Sequence, residues 1–190
     1  MNILVLGCGN KKINERFPNS TITTIDIRSN VGATIVHNLD IFPWPLKDDT
    51  FDFVLAEHVI EHLEDTTRVL EEICRVSKPN ASVEITVPYF RSKWQAIDPT
   101  HKKQFCPWTI YNYVPDVKLG RRQFELYSNY GHSTLAKFKM IKFTWNKDID
   151  RTWFQKLLIC ISDCNLEFYE DKLAPMFPLE CITWELEVLK

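Results

Sequence analysis

The chain has 190 residues, a formal charge of −2, and 45% hydrophobic and 25% charged residues, the profile of one globular domain whose core needs no staples. No apolar run approaches the roughly 20 residues that span a bilayer, and the six cysteines form no C-x-x-C pair, so they read as reduced packing thiols. These features exclude a membrane-spanning or disulfide-framed protein and predict a soluble, cytoplasmic one.

The first element is the apolar run Asn2 to Leu6, which reads as a buried parallel strand entering a tight turn at Gly7 and Gly9. Glycines there let the backbone approach a ligand closely. A second strand, Thr21 to Ile27, carries Asp26, 19 positions after Gly7, where a carboxylate accepts the hydroxyls of a ribose at the carboxyl end of the sheet. A third, Ala33 to His37, delivers Asn38 beside it. Dinucleotide binders want a third glycine at the start of the following helix, but that position is Lys12, and the Gly-Lys-Ser/Thr ending of a phosphate loop is absent.

A fourth strand is predicted over Phe51 to Leu55 and a fifth over Ser82 to Val87, with a helix between them capped by Asp65 and stopped by Pro79. Val69, Leu70, Ile73 and Val76 mark the dry face of that helix, and Arg68, Glu71, Glu72 and Arg75 the wet one. A strand at Lys137 to Trp145, a helix at Arg151 to Cys164 and a strand at Glu180 to Leu189 follow. Ile182, Trp184, Leu186 and Val188 alternate with Thr183, Glu185, Glu187 and Leu189, as in an antiparallel strand with one covered face. The alternation of strands and helices gives an α/β fold: a doubly wound, Rossmann-like sheet, mostly parallel with an antiparallel C-terminal strand, in one domain spanning residues 1–190.

Taken together, Gly7-Cys8-Gly9, Asp26, His37 to Asp40, Phe42 to Pro45, Phe51 to Leu63, Arg75 to Asn80, Val87-Pro88 and Asp98-Pro99-Thr100-His101 resemble the class I S-adenosylmethionine-dependent methyltransferases, in the small branch with an Asp-Pro-x-His segment after the fifth strand. The resemblance implies S-adenosylmethionine as cofactor and S-adenosylhomocysteine as product. It places Gly7, Cys8, Gly9 and Glu57 near the methionine part, Asp26 with Ile27 at the ribose, and Asn38 with Leu39 at the adenine edge. Many relatives have aspartate where this chain has Asn38, an amide that still hydrogen-bonds adenine. The chain starts directly at its first strand, so the N-terminal helix that often covers the cofactor has no counterpart and cover is expected from elsewhere.

Residues 89–137 hold 10 aromatics and eight Lys or Arg against three acids, a charge of +5 that leaves −7 for the remainder. An insertion of this kind is expected to overhang the cofactor as a basic, aromatic lid that selects the acceptor. Arg91, Lys93, Lys102, Lys103, Arg121 and Arg122 are its candidates for an anionic substrate, with Trp94, Trp108, Tyr111 and Tyr113 as walls; a solvated basic surface over a small aromatic core is the alternative. His58, Tyr89, Arg91 and Trp94 are the expected substrate contacts. The resemblance turns His101 toward the methyl donor, and because imidazole titrates near neutrality it is the candidate general base, with Asp98 beside it. The bland reading of both is a turn that pins the lid.

His58-Val59-Ile60-Glu61-His62 matches the H-x-x-E-H pattern of inverted zinc peptidases, but it follows a strand end with no peptidase domain around it, so no metal is expected. Ala56-Glu57-His58-Val59 stands where exocyclic-amine methylases carry Asn/Asp-Pro-Pro-Tyr, which disfavours DNA adenine as acceptor. The expectation is transfer of a methyl group to a small-molecule or glycan-like acceptor at oxygen. The alternatives are a non-catalytic module that keeps the cofactor fold and an RNA-binding or RNA-methylating protein that uses the basic lid.

Overall fold

The computed structural model describes residues 1–10, 13–115, 134–145 and 151–190; Lys12, Lys118, Arg121 and Arg122 lie outside them. Seven strands form one sheet: β1 (Asn2–Leu6), β2 (Thr21–Asp26), β3 (Ile35–Val36), β4 (Phe51–Glu57), β5 (Ser77–Pro88), β6 (Phe138–Trp145) and β7 (Cys181–Val188). Their spatial order is β3-β2-β1-β4-β5-β7-β6. Strands β1 to β5 pair in parallel, and β7 runs antiparallel between β5 and β6. This is the expected doubly wound sheet with its reversed last strand.

The pleat of β1 explains why both faces are covered. Leu4 and Leu6 enter the larger core cluster, whereas Ile3 and Val5 enter a smaller one with Cys8, Ile13 and Leu55. Helix α1 (Ile13–Arg16) lies on the smaller side, and α2 (Thr66–Val76) and α4 (Trp153–Cys164) on the larger, with the short α3 (Lys93–Ile97) between β5 and β6 in sequence. Asp65 caps α2 by accepting the N–H of Arg68 at 3.0 Å, and Thr152 caps α4 through a reciprocal box with Gln155. No described helix is long and apolar enough to cross a membrane.

Three details depart from the sequence expectations. Helix α2 stops at Val76 and the chain turns directly into β5, so Pro79 sits inside a long strand instead of ending the helix. Ser77 pairs with Phe51 and Ser82 with Phe53, and the register shift between them accommodates a proline that lacks a ladder donor. Glu72, expected on the wet face, is buried: its Oε2 accepts the N–H of Trp44 at 2.7 Å and the Nη2 of Arg75 at 2.6 Å, clamping the loop after β3 to α2. Strand β3 keeps only Ile35 and Val36, enough to bring Asn38 to the sheet edge.

Candidate functional site

The parallel order reverses between β1 and β4, and at such a switch point the loops leaving the carboxyl ends open a crevice. Gly7 leaves β1 with φ of 58°, and a Cβ built on it would lie 2.5 Å from Val59, so glycine is required both by the left-handed backbone and by the close approach of the β4 loop. Asp26, 5% exposed, fastens this turn: Oδ2 accepts the N–H of Gly9 and Oδ1 that of Arg28, each at 2.9 Å. Burial opposes its charge, but the N–H groups of Arg28 and Gly9 outweigh it and hold the Asp26 carboxyl below its ordinary value.

Two cavities meet here. The first, about 650 Å³, is lined by Gly7, Asp26, Ile27, Asn38 and Leu39, and also by Arg28, His37, Asp40, Thr100 and Lys102, which the sequence did not single out for it. Asn38 Oδ1 accepts the N–H of Asp40 at 3.0 Å, which leaves the amide NH₂ as the group it offers, and the Leu39 carbonyl is held by Trp44 Nε1 at 3.0 Å. The second, about 430 Å³, is lined by Pro88, Trp94, Ile97, Asp98, His101 and Cys181, among others. His58 and His62 line both.

The segment carrying His101 is stitched over the β4 loop by backbone: the N–H groups of Lys102 and Lys103 both donate to the Glu61 carbonyl, at 2.8 and 3.0 Å. His101 Nδ1 lies 3.1 Å from the Gln95 carbonyl. A carbonyl only accepts, so Nδ1 carries a proton, and Nε2 lies 4.0 Å from both Asp98 Oδ2 and Glu61 Oε1. Thr100 donates its hydroxyl to Asp98 Oδ1 at 2.6 Å, and its hydroxyl and N–H hold Asp98 below its ordinary value. Across the cavity, the Cys181 side chain and then Glu61 push His58 up to about 9 against the effect of burial.

Several expected members stand elsewhere. Cys8 is buried in the smaller core, Gly9 lies behind Gly7 on Asp26, and Glu57 pairs with Arg16 at 2.5 Å, so none of the three lines the first cavity. Tyr89 is fully buried against Trp145, where burial and then Glu170 raise its hydroxyl above the ordinary value. Arg91 lies over the Phe90 ring at 4.7 Å. Tyr111 and Tyr113 pack on the main core, the latter bonded to Thr67 of α2, and Trp108 packs edge-on against Tyr111, so of the proposed aromatic walls only Trp94 reaches a described cavity. His58 has φ of 55° and Ile60–His62 form a 3₁₀ turn, so the H-x-x-E-H histidines share no α-helical face. Cys181 was legible only through topology: in an antiparallel β7 the strand's start, paired with Pro88, falls at the carboxyl edge of the others.

Residues 4–85, the segment that supplies Gly7, Asp26, Asn38 and His58, match a family model described as a methyltransferase domain. Over those residues the chain is similar to a methyltransferase domain. Solved structures share the fold over the whole chain. A methyltransferase from Archaeoglobus fulgidus is 18% identical with a TM-score of 0.56, over 98% of this chain and 85% of its own. The N-methyltransferase NodS from Bradyrhizobium japonicum is 10% identical with a TM-score of 0.54, over 100% and 86%. The [4+2]-cyclase SpnF is 14% identical with a TM-score of 0.54, over 99% and 75%. At these identities the likeness is one of fold, and the spread of chemistries in those names leaves the function of this chain to be argued from its own residues.

Proposed function

We propose that the protein transfers the methyl group of S-adenosylmethionine to an oxygen of a small-molecule or glycan-like acceptor. The junction carries this reading: His58 and His62 line both cavities, so a cofactor in the first and an acceptor in the second would lie against the same two imidazoles. The first cavity fits the cofactor, since its volume lies within the span of about 300–1,000 Å³ usual for ligand pockets and its polar groups stand in the right order. Asp26 Oδ2 has accepted only the N–H of Gly9 and keeps lone-pair capacity for a ribose hydroxyl, while Oδ1 takes the backbone N–H and Nε–H of Arg28. Gly7 brings the backbone to the methionine part with Cys8, Gly9 and Glu57 in support, Ile27 and Leu39 supply apolar cover, and the Asn38 amide donates to an adenine ring nitrogen.

When bound, S-adenosylmethionine supplies a methyl carbon on a sulfonium that departs as a neutral thioether. The chain therefore has to align the acceptor and take its proton. His101 Nε2, the acceptor nitrogen of the neutral ring whose Nδ1 donates to Gln95, is assigned to activate the acceptor hydroxyl, with Asp98 stabilising the positive charge. Trp94 and His58 line the acceptor cavity, Tyr89 supports it from the core through its neighbour Pro88, and Arg91 stands at the exposed rim. Residues 89–137 are read as the acceptor-selecting insertion of a single cytoplasmic domain. Lys102, expected to be free for an anion, pairs with Glu64 at 2.8 Å and Asp40 at 3.9 Å, which favours a small acceptor over RNA. Isothermal titration with S-adenosylmethionine, S-adenosylhomocysteine and NADH tests the cofactor: micromolar binding of the two sulfur ligands alone is expected, and binding of neither refutes the proposal.

A further inference from the structure

Glu61 is the anomaly of the site. It is 0% exposed, and neither carboxylate oxygen makes a hydrogen bond. A buried carboxylate with no hydrogen bond is costly, and a cation offsets that cost. His58 Nδ1, 3.5 Å away, is one candidate, but that imidazole is half exposed and reaches only Oε1.

Two other imidazoles converge on the same carboxylate. Glu61, His62 and His101 each offer one ligand atom, and all three atoms lie within 4.8 Å of one another. The rings of His62 and His101 meet edge to face with centroids 4.7 Å apart. Hydrogen bonds behind them set the tautomers. Thr100 has one hydroxyl proton, which goes to Asp98 at 2.6 Å, so at its 2.9 Å contact with His62 Nδ1 the threonine accepts and the histidine donates. His101 Nδ1 likewise donates to the Gln95 carbonyl. In the neutral rings the free lone pair is then on Nε2, each ring being braced through its other nitrogen in the manner of metal-binding histidines.

We propose that Glu61, His62 and His101 bind one divalent first-row transition ion in the wall of the acceptor cavity. Two imidazoles and a carboxylate with open positions suit zinc and iron(II), not magnesium. Ligands about 2.0–2.1 Å from a tetrahedral ion lie about 3.4 Å from one another, so binding draws the three groups together by about 1 Å. The set differs from the H-x-x-E-H pair: its second histidine comes from the loop after α3, 39 residues beyond His62. The site stands independently of the methyl-transfer reading. If both hold, the ion occupies His101 Nε2 and activates the acceptor hydroxyl by lowering its pKa, the proton leaving to solvent, in place of direct abstraction by the imidazole.

The test is calorimetric titration of chelator-treated full-length protein with Zn²⁺ and Mg²⁺, and with Co²⁺ followed by its visible spectrum. One Zn²⁺ or Co²⁺ per chain and no Mg²⁺ is expected, with at least a tenfold loss of affinity in Glu61→Gln, His62→Ala and His101→Ala. Thr100→Val, which touches no ion, should cost about 10–100-fold through the His62 tautomer. His58→Gln and Cys181→Ser should retain stoichiometric binding. Absence of zinc uptake, uptake that survives the His62→Ala/His101→Ala double substitution, or uptake that disappears in Cys181→Ser overturns the proposal. S-adenosylhomocysteine titration and circular dichroism of each variant separate loss of the ion site from loss of the fold or of the cofactor reading.

Discussion

The two cavities are built by opposite means. The first is local at its polar end: Asp26 and Asn38 stand at or just past the ends of parallel strands and accept backbone N–H groups from within 17 residues, while the β4 loop, Thr100 and Lys102 complete it. The second is assembled from the β4 loop, the end of β5, α3 with the loop after it, and the start of β7, so that Pro88, Trp94, His101 and Cys181 meet across long stretches of chain. The first surface is thus dictated by sheet topology, the second by how one loop lies over another. A fold shared among different chemistries is expected to keep the first and vary the second.

If the division is right, the largest single effect falls on turnover alone. His101→Ala should lower methyl transfer by about 10²–10⁴-fold, the usual worth of a positioned proton-transfer group, while S-adenosylhomocysteine affinity stays within about threefold of the parent. An equal fall in both would show that the loops are coupled. Asp26→Ala probes the other side. Losing a charge-assisted contact worth about 1.5–3 kcal/mol should weaken cofactor binding by about 10–150-fold, and unchanged affinity in the calorimeter would remove Asp26 from the ribose.

A smaller and purely structural effect sharpens the boundary. Gly7→Ala places a Cβ on a left-handed residue against Val59, and the backbone alone should cost about 1–2 kcal/mol, a fall of about 2–8 °C in melting temperature for a domain of this size. Adding Val59→Ala should recover the steric share of that loss and leave the backbone share. Full recovery would mean that the positive φ costs nothing here.

Legibility in the sequence followed the same division. Parallel strands buried on both faces announce themselves as apolar runs, and β1, β2, β4 and β7 lie within two residues of their expected ends. The alternation of β7 holds over its second half, where Trp184 is 1% exposed while Glu185 and Glu187 are only partly covered; Thr183, expected on the wet face, is fully buried beside Thr86. Tyr89 was misplaced for a related reason. A tyrosine just past a strand end looks like a cavity wall, but the pleat of β5 carries it into the core beside Val87 and Trp145. Glu57 was misplaced because an acid at the carboxyl end of a strand does not reveal that Arg16, from α1, waits on its face.

The sequence by itself determined the order of strands, the glycine turn with its fastening carboxylate, and the edge to which Asn38 is brought, because these depend on side-chain period, on backbone freedom at glycine and on hydrogen bonds between residues close along the chain. Only the tertiary structure decided that Glu61 is buried without a hydrogen bond, that Thr100 and Gln95 set the tautomers of two histidines, and that Cys181 arrives beside His58. Most of those relations join residues tens of positions apart, and hydrogen-bond direction and burial are properties of neighbours in space that no local pattern encodes.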